Sequence, residues 1–332
     1  MGKISTKQAT RGQFFTTNEE LLDIQLPFTK KDTVIEPFAG DRFLSTFLKN
    51  KCKSVIDYDK FPTSKDITKR DTLLNPPDYR GKFVMTNPPF SPRNRQQNTE
   101  NMKIYKKYDT DDLYKAFLKS VLPTVSGGVV IIPMNFLTGI RTKDVELRNE
   151  MFSNFKILEM KIFEQKMFDD AAIAVVVISF KRYIPMTSQT IPVSINGIKK
   201  NLTLRQENDW LHGGEIYTLN NGKNIVVRRV HTPIKNSLII QNIDLPSSKP
   251  IHLRLRKNET HFGNNQRAYA TMVVSNVPAH KLPLLCERFN TLLNAYRKKY
   301  DSLFLSSFYE NKRKYIPLTL VYVLIAHVAS KL

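Results

Sequence analysis

Through the first half of the chain, short runs rich in Val, Ile and Phe alternate with segments whose apolar positions recur at helical spacing. The stretch "DTVIEPFAG" (32–40) reads as a strand entering a turn, and "DRFLSTFLKN" (41–50) as a helix with Phe43, Phe47 and Leu48 on one face. "KSVIDYD", "KFVMTN" and "GGVVIIPMNFL" read as further strands, and "FKILEMKIF" and "AIAVVVISFKR" complete the set. Between them "TDDLYKAFLKSVLPTV" reads as a helix that Thr110 and Asp111 can cap. This alternation predicts an α/β domain with a parallel sheet. After Arg182 the texture shifts to prolines, threonines and short alternating segments, so a boundary is placed between 184 and 185. Residues 185–332 then form a smaller, mixed α+β domain. Its last fifty or so positions return to helical spacing, with Leu282, Leu285, Phe289, Leu292 and Leu293 on one stripe. The apolar run Ile316–Ala329 falls short of the roughly 20 residues a spanning helix needs, which predicts a packed helix and no membrane partner.

Charge narrows the partner. The chain of 332 residues carries 51 Lys and Arg against 30 Asp and Glu, a net charge of +21, which favours a polyanion such as nucleic acid. Residues 1–182 hold 30 basic and 22 acidic side chains (+8), whereas 183–332 hold 21 and 8 (+13). The basic excess therefore concentrates in the C-terminal part, where Arg228, Arg229, Arg254, Arg256, His261 and Arg267 are candidate phosphate or base contacts. Cys52 and Cys286 are far apart and no secretory signal opens the sequence, so a reducing, intracellular location (cytoplasmic, or nuclear) is expected. The Cys and His residues show no ligand spacing, and no metal is predicted.

In an open α/β sheet, ligands bind beyond the carboxyl ends of the strands. Four such ends carry suggestive residues. Glu36-Pro37-Phe38-Ala39-Gly40 places a glycine where the backbone must turn and approach a ligand closely. Asp57 ends "SVID" and suits two ribose hydroxyls; Asp59, pointing the same way in an extended chain, is the competing choice. Asp71 opens "DTLL", where a carboxylate can accept from an adenine amino group. The fourth end is Asn87-Pro88-Pro89-Phe90. Two prolines hold the chain stiff as it leaves the strand, leaving the Asn87 side-chain oxygen and the Pro88 carbonyl as acceptors for one NH2 group. Phe90 offers a face for a planar ring. A near-copy, Asn75-Pro76-Pro77-Asp78, lacks both the apolar strand before it and the aromatic after it, and reads as a turn. Glu159 and Lys161 in "ILEMK" resemble part of a nuclease pair but have no convincing third partner.

With these motifs in this order, residues 10–182 resemble the S-adenosylmethionine-dependent amino methyltransferases, most closely the γ-class N6-adenine DNA methyltransferases. The resemblance implies a Rossmann-like domain with a mostly parallel seven-stranded sheet over 1–184 and a target-recognition domain over 185–332. It places Phe14, Phe15, Thr16 and Thr17 of "RGQFFTTNEELLD" against the methionine part of the cofactor. Glu36, Pro37 and Gly40 fall in the cofactor loop, Asp57 at the ribose and Asp71 at the adenine. Asn87, Pro88, Pro89 and Phe90 become the catalytic motif, and Phe168 falls where an aromatic contacts the flipped base. The family's second loop glycine is replaced here by Arg42. The implied activity is transfer of a methyl group from S-adenosylmethionine to N6 of adenine in DNA, as in restriction-modification or viral modification. RNA adenine methylation and a non-catalytic nucleic-acid-binding protein of the same fold are the alternatives; protein-glutamine methylation fits the large basic C-terminal part less well. Segment Ser91–Asp109 is expected to be a mobile loop that closes over nucleic acid.

Overall fold

The computed structural model describes residues 18–95, 99–165, 167–168, 173–219, 224–231, 235–245, 250–256, 268–307 and 313–332, and it divides into two compact units, 1–210 and 211–332. The first unit is built on one sheet. Its strands are β1 (Thr33–Glu36), β2 (Ser54–Asp59), β3 (Thr68–Lys69), β4 (Phe83–Thr86), β5 (Gly127–Pro133), β6 (Phe155–Phe163), β7 (Val175–Arg182), β8 (Ser188–Ile195) and β9 (Ile198–Arg205). They lie in the order β3-β2-β1-β4-β5-β7-β6-β8-β9. Strands β7 and β9 run against the rest, so the sheet is mostly parallel and Rossmann-like.

Strands β1, β4 and β5 are buried at every position but Thr33, as expected for parallel strands covered on both faces. Gly128 lets β5 lie close to β4: a Cβ there would fall 2.3 Å from the Val84 carbonyl oxygen. Helices α1 (Phe43–Phe47), α2 (Thr99–Tyr108), α3 (Leu113–Val121), α4 (Asn135–Thr138) and α5 (Thr142–Asn154) complete the unit. At the start of α3 the cap residue is Asp112, rather than Thr110 or Asp111.

Two expectations about extent change. The sheet has nine strands and not seven, and the division falls between Trp210 and Leu211 rather than between 184 and 185. Both follow from one hairpin. Asn196 and Gly197 adopt φ of 48° and 87°, the pair of positive values that a tight two-residue turn needs, and β8 and β9 pair around it. Strand β8 then joins β6 in parallel from Val193 to Ile195, beginning one residue after Pro192, which cannot donate to a ladder. Glu159 and Lys161 on β6 hold the N-terminal segment: Glu159 Oε2 accepts from Gln25 N–H (2.8 Å) and Lys161 Nζ donates to Asp23 (2.6 Å).

The second unit contains a four-stranded antiparallel sheet in the order β10 (Val227–Val230), β13 (Tyr269–Val274), β11 (Leu238–Gln241), β12 (His252–Leu255). Helices α6 (Leu282–Lys299) and α7 (Leu318–Ala329) share its core. The predicted stripe is on α6, where Leu282, Leu285, Phe289 and Leu293 are buried and Leu292 is half-buried. The apolar run at the end of the chain forms α7, which buries Leu320, Leu324 and Val328 in the same core. Among the described residues no helix is long and apolar enough to cross a membrane.

Candidate active site

The sheet reverses direction of growth at β1: β2 and β3 lie to one side, β4 and β5 to the other. The carboxyl ends of β1 and β4 therefore flank the crevice where such sheets bind ligands. A cavity of about 150 Å³ opens there. Its wall brings together Glu36, Gly40, Asp59 and Asp71 with Asn87 and Pro89.

On the β1 side, Ala39 N–H reaches across to the Tyr58 carbonyl (2.9 Å), and Gly40 turns with φ of +52°. Gly40 N–H donates to Asp59 Oδ2 (2.9 Å) while Phe61 N–H donates to Asp59 Oδ1 (2.7 Å), so backbone donors fix that carboxylate at the cavity wall. Asp57 is placed differently. Its Oδ2 takes Arg42 Nε (3.1 Å), its Oδ1 accepts from Ser45 Oγ (2.6 Å), and it is not part of the cavity wall. Of the two competing acids, Asp59 and not Asp57 lines the cavity. Arg42, which holds Asp57, keeps a left-handed conformation (φ 67°), which favours glycine, and its guanidinium also reaches Asp66 (2.7 Å).

Glu36 is 1% exposed. Its Oε1 accepts from Thr86 Oγ1 (2.6 Å) and Phe38 N–H (3.0 Å), while its Oε2 has no hydrogen-bond partner among the described residues. Burial pushes this carboxyl well above the ordinary glutamate range, although the Thr86 and Phe38 contacts oppose the shift. Pro37 follows it and offers its carbonyl to the Thr72 hydroxyl (3.0 Å). Asp71 lies beyond β3. Its Oδ1 accepts from Leu73 and Leu74 N–H (3.2 and 3.1 Å) and its Oδ2 pairs with Lys60 (2.9 Å).

Strand β4 ends at Thr86, and Asn87 and Pro89 enter the cavity wall while Pro88 and Phe90 are buried. Phe90 packs edge-on against both Phe168 and Tyr114, each with ring centroids 6.3 Å away. Phe90 and Phe168, far apart in sequence, are therefore neighbours. The chain after the motif is tied down: Ser91 N–H donates to Asp112 Oδ1 (2.8 Å), and the Ser91 carbonyl accepts from Tyr105 OH (2.6 Å). Burial raises the Asp112 carboxyl to about 6, against the stabilising Ser91 N–H and Lys115.

The expected mobile loop over 91–109 contains instead the helix α2, with Asn101, Ile104 and Tyr105 buried. Asn101 and Ile104 line the cavity, as does Phe61 at the end of β2. None of these three was anticipated, although Asn101, Ile104, Tyr105 and Tyr108 recur at helical spacing. The near-copy is a strapped turn. Arg70 donates from Nε to the Asn75 carbonyl (2.7 Å) and from a terminal nitrogen to the Pro76 carbonyl (3.0 Å). Phe14, Phe15, Thr16 and Thr17 lie outside the described residues, as do His261 and Arg267.

The remaining basic candidates do not form one cluster. Strands β10 and β12 are opposite edges of their sheet, so Arg228 and Arg254 lie three strand spacings, at least about 14 Å, apart. Register through Val273, Thr271 and Ile239 puts these two on one face, and Arg229 on the other. Arg228 and Arg229 are exposed, and Arg254 and Arg256 half-buried.

No protein-family model and no curated relative matches the chain. Several solved structures do. One is the type I restriction-modification methyltransferase subunit from Streptococcus thermophilus, with TM-score 0.39 and 13% identity over 55% of this chain and 46% of that one. A second is the type I restriction enzyme EcoKI M protein, with TM-score 0.36 and 12% identity over 64% and 53%. The type IIG restriction endonuclease BpuSI gives TM-score 0.41 and 14% identity over 66% and 35%. The chain spans about half the length, or less, of these three.

Proposed function

We propose that this protein transfers the methyl group of S-adenosylmethionine to the N6 amino group of an adenine rotated out of a DNA duplex. One observation carries the reading: Asn87 and Pro89 of the Asn-Pro-Pro-Phe turn share a cavity with Gly40, Asp59 and Asp71 at the switch point of the sheet. A group that binds amino hydrogens and a group that binds an adenosine then face one space.

The wall suits the cofactor. Asp59, pinned by two backbone N–H groups, presents its carboxylate where ribose hydroxyls can donate; Asp71 can accept from an adenine amino group; Phe61, 45% exposed, offers a ring face. The buried Glu36 Oε2 is a further polar atom at this wall that a polar group of a ligand would satisfy. When bound, S-adenosylmethionine supplies a methyl group on a sulfonium centre. The chain's task is then placement. Asn87 Oδ1 and the Pro88 carbonyl accept the two amino hydrogens and turn the nitrogen lone pair out of the purine plane, toward the reacting carbon. Phe90 stacks on the base and offsets part of its unstacking cost of a few kcal/mol. Because Phe90 is only 5% exposed, the base reaches it when Phe168 or Tyr114 gives way.

The second unit, with Arg228 and Arg254 on one sheet face, supplies phosphate contacts in this reading, and its binding should weaken steeply as salt rises. Transfer of a labelled methyl group to duplex DNA, single-stranded DNA and RNA, followed by identification of the modified nucleoside, tests the proposal. N6-methyladenine in DNA is the expected product. Label in RNA alone would move the assignment to the RNA alternative, and no transfer to any of the three would reject both.

A further inference from the structure

We propose that Lys60 is a positioning residue that couples the two sides of this site, orienting Asp71 for the cofactor's adenine while anchoring, through Glu100, the helix that backs the catalytic turn. The inference rests on the methyltransferase reading above. Lys60 directly follows Asp59 at the end of β2. Its Nζ lies 2.9 Å from Asp71 Oδ2 and 2.7 Å from Glu100 Oε2 on α2, and all three residues line the cavity.

Consider first the Asp71 side. A carboxylate has about four lone-pair sites. Leu73 and Leu74 N–H occupy Oδ1 and Lys60 occupies one site of Oδ2, so the remaining Oδ2 site suits the adenine amino group. The ammonium and the two backbone N–H groups fix the plane of the carboxylate, which makes it a preorganised acceptor. Burial disfavours the charge on Lys60, but Glu100 and Asp71 outweigh it and hold its pKa above the ordinary lysine range.

The Glu100 side leads to the catalytic turn. Helix α2 is bonded to the Asp71 segment by Lys107 Nζ on the Leu74 carbonyl (2.7 Å) and Tyr108 OH on the Leu73 carbonyl (2.9 Å). It is bonded to the residue after Phe90 by Tyr105 OH on the Ser91 carbonyl. Two carboxylates that bracket one ammonium lie within about 6 Å of each other, so loss of the Lys60 charge leaves them repelling and pushes α2 off the adenine wall. Cofactor occupancy of Asp71 is thereby transmitted to Ser91 and Phe90.

The test uses the full chain and S-adenosylhomocysteine as the probe, with affinity from calorimetry and α2 protection from amide hydrogen exchange. In the wild type, binding should slow exchange across 99–108. Lys60→Met should weaken affinity about tenfold and abolish that protection. Glu100→Gln, which leaves the Lys60–Asp71 pair in place, should change affinity by less than about threefold yet lose most of the protection. It also decides the question should Lys60→Met fail to fold. Wild-type affinity in Lys60→Met, or wild-type protection in Glu100→Gln, would overturn the proposal. A wild type that does not bind the probe would instead reject the methyltransferase reading, and this inference with it.

Discussion

The two Asn-Pro-Pro segments of this chain begin with the same three residues and end in different physical roles. At 75–77 the prolines sit in a turn whose carbonyls are gripped by Arg70, with Asp78 facing solvent after them. At 87–89 they follow a fully buried strand, and Asn87 and Pro89 reach a cavity walled by carboxylates, with Phe90 held in an aromatic cluster. The difference lies in what precedes and follows. A parallel strand ending at a switch point delivers the first residue after it to a ligand crevice, whereas a turn delivers its residues to water or to a neighbouring side chain.

The largest expected effect breaks the copy proposed to be catalytic. Asn87→Ala should lower methyl transfer by about 10²- to 10³-fold, the usual cost of removing one preorganised group aimed at the reacting atoms, while Asn75→Ala should stay within about twofold. Steady-state rates of the two variants at matched folding, checked by thermal melting, measure this contrast. Phe168→Ala should cost about 3 kcal/mol of stability, seen in denaturant midpoints, because it opens a void beside Phe90; no change at 78–79 should accompany it.

Arg70→Met attacks the other copy. It removes two charge-assisted bonds to carbonyls, for an expected loss of about 1–3 kcal/mol. Glu36→Gln probes the cavity wall through pH. The folded protein holds this carboxyl protonated well above its unfolded value, so it binds a proton that the unfolded chain releases, and stability falls as pH rises past about 4.5. The Gln variant should show a shallower decline, visible in unfolding curves at several pH values between 4 and 8 as a gain that grows with pH; parallel curves would contradict the assignment. The smallest effect is expected from Asp78→Phe in the Asn87→Ala background. It completes a second Asn-Pro-Pro-Phe, yet should restore no transfer, since the cavity is elsewhere.

Much of this fold is legible in the amino-acid sequence. Strands β1, β2, β4 and β5 announce themselves by apolar runs, and their ends fall where the motifs do. Which of Asp57 and Asp59 lines the cavity was not legible, because alternate residues of a strand point the same way and Arg42, which holds Asp57, acts across 15 positions of sequence. Helix α2 was hidden by its polar content, although its buried residues follow helical spacing. Hairpin β8–β9 carries its Asn-Gly turn openly, but its prolines and threonines resemble the texture that follows, which drew the boundary too early.

The central claim is that Asn87, and not Asn75, holds the reacting amine. Incubating wild type, Asn87→Ala and Asn75→Ala with S-adenosylmethionine and duplex DNA, then counting N6-methyladenine by mass spectrometry, tests it directly. Similar methylation by wild type and Asn75→Ala, with Asn87→Ala about 10²- to 10³-fold lower, is the predicted result; equal methylation by Asn87→Ala and wild type would contradict the account.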